Sequence, residues 1–99
     1  MRATITSIAH WVPEDVYPNS YFEKYLDTSH EWIFTRTGIA ERRFLKEGGT
    51  SDMIVPAAKE CLAKRGIKPE EIDCVLVATV TPDHFFPSTA AIVQRKLGL

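Results

Sequence analysis

Little in this sequence is extreme, and its shortages narrow the function before any motif does. Long apolar runs are missing: the longest largely apolar stretch, Val75 to Val80, falls far short of the roughly 20 residues a membrane-crossing helix needs. Arg2 is not followed by the apolar segment of a secretory leader, so a cytoplasmic location is expected. Neither charge dominates, with 12 basic against 13 acidic residues, which removes the broad positive field that nucleic-acid binding relies on. Cysteine is scarce. Cys61 and Cys74 form no CxxC pair and have no histidine at metal-ligand spacing, so both read as buried free thiols and no metal site is expected. A Walker loop, a GxGxxG turn and a Ser-His-Asp arrangement are also absent, and no catalytic residue is assigned.

What is present is an average globular composition, 44% hydrophobic and 25% charged over 99 residues, enough for one small core and no more than one domain. Ala3 to Ala9 is rich in β-branched residues and stops at Trp11-Val12-Pro13, which predicts a first strand. Ser20 to Glu23 has the form of a capping box and predicts a short helix to about Asp27. Thr28-Ser-His-Glu31 repeats the signature and predicts a second helix carrying Trp32, Ile33 and Arg36, ended by Gly38. Ala40 to Leu45 fits an edge strand, closed by Gly48-Gly49.

A third helix is predicted from near Ser51, with Ile54, Ala57, Ala58, Cys61 and Leu62 on one stripe and Gly66 as its stop. Pro56 inside it should remove a hydrogen bond or shift the helix start. Cys74 to Val80 reads as a central strand buried on both faces; a loop from Thr81 to Pro87 follows it, then a last helix capped by Ser88, with Val93 and Leu97 turned inward. Strands alternating with helices predict an α/β fold, a mostly parallel sheet with helices on its faces. A fourth strand is due after the last helix and does not fall within these residues, so the expectation is a piece of a longer domain, or one completed by another chain.

Candidate functional residues concentrate between Glu31 and Arg43. Trp32 and Arg36 are four apart, on one face of the predicted helix, an aromatic plane beside a guanidinium fork. A purine and a phosphate want those two groups; an intrahelical cation-π pair uses the same physics, and spacing alone leaves both open. Arg36, Arg42, Arg43 and Lys46 likewise make either a local anion site or a solvated face. His84 has no carboxylate or cysteine tied to it and reads as a surface residue. Phe85-Phe86 must find apolar cover, either inside the domain or in a partner subunit or ligand pocket.

The segments Trp32-Ile-Phe-Thr-Arg-Thr-Gly-Ile-Ala-Glu-Arg-Arg43, Val77-Ala-Thr-Val-Thr-Pro-Asp83 and Phe86-Pro-Ser88 closely resemble the start of β-ketoacyl-acyl carrier protein synthase III, in order and over the whole chain. The resemblance implies residues 1–99 of the first half of a thiolase-like α/β layered fold, from a cytoplasmic homodimer that condenses an acyl-CoA, often acetyl-CoA, with malonyl-acyl carrier protein to begin fatty acid synthesis. It implies no resident cofactor, coenzyme A entering as the thioester substrate. It further implies that Trp32 stacks on the adenine, that Thr28 and Arg36 contact the nucleotide end, that Thr37 lies near the pantetheine path, and that Phe86 lines the partner's acyl pocket. The family's nucleophilic cysteine, histidine and asparagine match no position here; neither Cys61 nor Cys74 inherits a role, and the chain alone is expected to be inactive. A related acyl-CoA-using enzyme of specialised metabolism and a non-catalytic binding or interaction fragment are the alternatives.

Overall fold

Short polar caps and glycines set where the helices begin and end in the computed structural model, which describes all 99 residues. The chain divides into two units, Val12–Lys46 and Met1–Trp11 with Glu47–Leu99.

In the first unit, β1 (Val16–Pro18) pairs antiparallel with β2 (Glu41–Arg43), Tyr17 lying opposite Arg42. Pro18 has no N–H to extend the ladder, and α1 (Asn19–Phe22) starts directly after it. Asn19 is fully buried: its backbone N–H donates to the Ala40 carbonyl at 3.1 Å and its Nδ2 to the Ile39 carbonyl at 2.6 Å, which ties α1 to the entry of β2. The rings of Tyr21 and Phe44 meet Tyr17 edge-on at 4.9 and 5.0 Å.

Helix α1 ends at Phe22, well short of Asp27, and the expected capping box does not form because Ser20 already lies inside the helix. Its carboxylate has another use: Glu23 Oε1 accepts from the backbone N–H of His30 at 2.9 Å. That residue opens α2 (His30–Thr37), whose cap is Ser29, its Oγ accepting from Trp32 N–H at 3.1 Å. Gly38, at φ 71°, stops α2 in the left-handed region that a side chain would strain. Ile33 points inward and is the buried apolar residue of this helix.

In the second unit, α3 (Thr50–Arg65) and α4 (Thr89–Leu97) pack on each other, with Ile92 and Val93 as the buried apolar residues. Pro56 sits inside α3 without displacing its start, so the cost falls on the Asp52 carbonyl, which loses its helical donor. Ser88 caps α4 as expected, its Oγ accepting from Ala91 N–H at 3.2 Å.

The expected α/β fold with a mostly parallel sheet is not what these residues build. Helix takes 40% of the chain and strand 6%, and the one sheet is the antiparallel β1–β2 pair. No backbone hydrogen bond joins Ala3–Ala9 or Cys74–Val80 to another strand. Ala3–Ala9 is tied to α3 instead, Ser7 Oγ donating to the Cys61 carbonyl at 2.9 Å and Lys64 Nζ to that of Ile8 at 3.3 Å. Within Cys74–Val80, Leu76 and Val80 are exposed at 91% and 98%, where a strand buried on both faces would hide them, and for the same reason Cys74 is an exposed thiol and not the buried one expected. The physical reason is that β-branched composition favours an extended backbone, whereas a strand exists only where a second ladder supplies donors and acceptors. No helix is long and apolar enough to cross a membrane.

Candidate functional site

Helix α2 is short and capped at both ends, with Ile33 buried and Trp32 and Arg36 on its exposed surface. The four-residue spacing brings Arg36 over Trp32, its Cζ 4.7 Å from the ring centroid. The cation-π pair therefore forms, and it leaves Trp32 55% exposed, so much of the indole remains open to a second planar group.

Trp32 stands between two clefts. One, of about 580 Å³, is lined by Ser29, Glu31, Trp32, Thr35 and Arg36, and is largely polar apart from the indole. The other, of about 370 Å³, is lined by Phe22, Leu26, Asp27, Thr28, Ile33 and Arg42 as well as Trp32, and is largely apolar with one carboxylate and one guanidinium among its lining residues. An aromatic wall with an arginine on either side suits a flat heterocycle joined to anionic groups.

The basic stretch is divided in its uses. Arg43 Nη1 donates to the Pro13 carbonyl at 2.9 Å, and Lys46 pairs with Asp15 at 3.4 Å, an exposed ion pair of small value. Arg36 and Arg42 are the two that reach the clefts. Sequence reasoning grouped Arg42 with Arg43 and Lys46 and did not separate it from them. The available signal was strand alternation, since β2 turns Arg42 to the opposite face from Glu41 and Arg43.

Thr28 lines the apolar cleft, but its Oγ1 is buried and has no protein partner. Thr37 lies at the last position of α2, where its hydroxyl donates to the Ile33 carbonyl at 2.6 Å and accepts from Ile39 N–H at 3.1 Å, securing the helix end. Of the candidate residues in this unit, the structure thus gathers Thr28, Trp32 and Arg36 around the clefts and leaves Thr37 beyond them. These groups can bind and orient; no cluster of metal-ligating side chains occurs.

Phe86 belongs to the other unit, on the loop from Thr81 to Ser88, with a cis Phe86–Pro87 peptide. Phe85 and Phe86 are 102% and 90% exposed, so packing within the unit, one of the two uses open to them, is not realised. The foot of the loop is fixed. Asp83 Oδ1 accepts from Ser51 N–H at 2.8 Å and Oδ2 from Ser51 Oγ at 2.5 Å, while Asp83 N–H donates to Thr89 Oγ1 at 3.2 Å. Lys96 Nζ donates to Ser51 Oγ and to Asp52 Oδ1, both at 2.7 Å. The Ser51 hydroxyl holds the Asp83 carboxyl below its ordinary value, and the Lys96 ammonium does the same for Asp52.

Comparison with solved structures sets the class. The chain superposes over 95% of its length on 30% of 3-oxoacyl-[acyl-carrier-protein] synthase III from Aquifex aeolicus VF5, with a TM-score of 0.85 at 47% identity. Against the synthase III of Thermus thermophilus the TM-score is 0.83 at 48% identity, covering 98% of this chain and 30% of that one. Sequence comparison agrees. The β-ketoacyl-[acyl-carrier-protein] synthase III of Koribacter versatilis (strain Ellin345) is 50% identical over 99 residues, 99% of this chain and 30% of that protein. No family model matches. The chain matches β-ketoacyl-[acyl-carrier-protein] synthase III along essentially its whole length, and spans about 30% of the length of the curated relatives it matches.

Proposed function

We propose that this chain carries the coenzyme A grip of a β-ketoacyl-acyl carrier protein synthase III, a cytoplasmic homodimeric acyltransferase that condenses an acyl-CoA, often acetyl-CoA, with malonyl-acyl carrier protein to initiate fatty acid synthesis. The observation that carries the reading is identity of about one half to synthases of that name across the whole chain. The priming β-ketosynthase of the R1128 polyketide pathway superposes nearly as well, with a TM-score of 0.84, but at 28% identity, which favours the synthase III reading over an enzyme of specialised metabolism.

In this reading residues 1–99 form the N-terminal portion of the first half-domain of a longer enzyme. The adenine lies against the open part of the Trp32 indole, and the Arg36 guanidinium takes the phosphates at the nucleotide end. Thr28 contacts the nucleotide end beside Arg36, Thr37 lies toward the pantetheine, and Phe86 lines the partner's acyl pocket. None of these groups touches the reacting carbonyl. Trp32 and Arg36 hold the remote end of the substrate, so their removal should raise KM for acyl-CoA more than it lowers kcat. Steady-state kinetics of Trp32→Leu and Arg36→Met in the complete enzyme test this, and an unchanged KM in both refutes the grip.

A further inference from the structure

The loop that carries Phe86 is held at its foot by hydrogen bonds to α3 and to the start of α4. Asp83 is the one residue between Thr81 and Ser88 that is not exposed, and both of its carboxylate oxygens are committed to Ser51. Ser51 itself is 0% exposed, at the start of α3, and its hydroxyl also receives Lys96 from α4. Thr89, 4% exposed, accepts from the Asp83 N–H, and Thr50 Oγ1 donates to the Thr81 carbonyl, so the loop is fastened at Thr81 and by both backbone and side chain of Asp83. Gly49 completes the seat: a Cβ there would lie 2.8 Å from Asp83 Cγ. Beyond this seat, Phe85 and Phe86 project bare into solvent.

We infer that Asp83, seated on Ser51 and Thr89, is a positioning residue for acyl-group selection, fixing the foot of the loop so that the Phe86 ring is presented in one place. The inference rests on Phe86 lining an acyl pocket, as proposed above. A pocket wall discriminates chain lengths only if it does not give way when a longer chain pushes on it. Tying the foot of the loop to two helices supplies that resistance, and a buried hydroxyl shared between a carboxylate and an ammonium is a directional tie.

The test uses the complete enzyme and the ratio of kcat/KM for acetyl-CoA to that for a longer straight-chain acyl-CoA. Asp83→Ala should lower this ratio by about tenfold, the low end of what one methylene is worth in an apolar pocket, and leave inhibition by free CoA unchanged. Phe86→Leu is measured beside it, together with the double variant. If Asp83 acts through Phe86, the double variant has the ratio of Phe86→Leu alone; effects that multiply would overturn the inference. A ratio altered by Phe86→Leu and untouched by Asp83→Ala also overturns it, while leaving the pocket reading standing. A ratio unaltered by Phe86→Leu removes the pocket reading and the inference with it. Should Asp83→Ala fail to fold, Asp83→Asn keeps the volume and an acceptor for Ser51 N–H, and is held to the same criteria.

Discussion

Trp32 and Arg36 can be separated from their own pairing by a double-mutant cycle, because the two readings of the pair differ in size and in observable. The perturbations are Trp32→Leu, which keeps apolar bulk and removes the π face, and Arg36→Met, which keeps the stem and removes the charge. With Cζ 4.7 Å from the ring centroid and the indole 55% exposed, the pair itself is worth about 0.5 to 1 kcal/mol of stability. That coupling should show in chemical denaturation of the two single variants and the double. Stacking of a base on an aromatic ring is worth about 1 to 3 kcal/mol, and a hydrogen bond to a charged group about 1.5 to 3. Each single substitution should therefore weaken acyl-CoA binding about 5- to 150-fold. Calorimetric titration of the complete enzyme with acyl-CoA reads that factor directly, and KM for acyl-CoA should follow it. Unchanged affinity in both variants, with the stability coupling intact, would reduce Trp32 and Arg36 to a packing pair.

Three further outcomes follow from the same geometry. Substitutions at Phe86 should alter the preference among short, long and branched acyl-CoAs, measured as ratios of kcat/KM; an unaltered preference counts against a pocket wall. Gly49→Ala should destabilise by about 1 to 3 kcal/mol in a denaturant titration, since its Cβ would meet Asp83 Cγ at 2.8 Å and the carboxylate is held by Ser51; a neutral result would mean that Asp83 can yield. Acid should loosen this unit. Asp83 and Asp52 are both depressed from an ordinary 3.8, so their contribution is complete above that value and lost as pH falls through the lower folded-state values. Thermal melts should be insensitive to these two groups near neutrality and fall below about pH 4, and Asp83→Asn should flatten that fall.

The parts of the molecule that could be read from sequence are those whose cause is local. Gly38 and Gly66 end α2 and α3 where expected, and Gly98 ends α4 in the same way, because a left-handed φ near 71 to 73° is a property of one residue and its glycine. The Trp32–Arg36 contact follows from helical spacing alone. Even local signatures misled where two were adjacent. Ser20 and Glu23 looked like one capping box, yet Pro18 started α1 early and released Glu23 to cap α2 across seven residues. Two of the three expected strands failed for a different reason, while the one expected within Ala40–Leu45 forms as β2. Ala3–Ala9 and Cys74–Val80 have the composition of strands, but a ladder depends on what lies alongside, which no window of sequence contains. β1 was missed for the complementary reason: Val16-Tyr-Pro18 is too short to have a pattern, and is a strand only because β2 comes back to it.

The same division bears on which part of the site can be trusted to local chemistry. Arg36 reaches Trp32 through one helix, so its place survives any rearrangement that spares α2. Arg42 reaches the second cleft only because Asn19 clamps the entry of β2 through the carbonyls of Ile39 and Ala40. Asn19 is fully buried, so replacing its side chain would leave the Ile39 carbonyl without its partner, keep only the backbone bond to Ala40, and loosen the strand that aims Arg42. The aromatic wall and its first arginine are therefore built by sequence spacing, whereas the second arginine is built by tertiary structure. A ligand that needs both sides of Trp32 senses the integrity of the whole Val12–Lys46 unit, and one that needs only Arg36 senses a single helix.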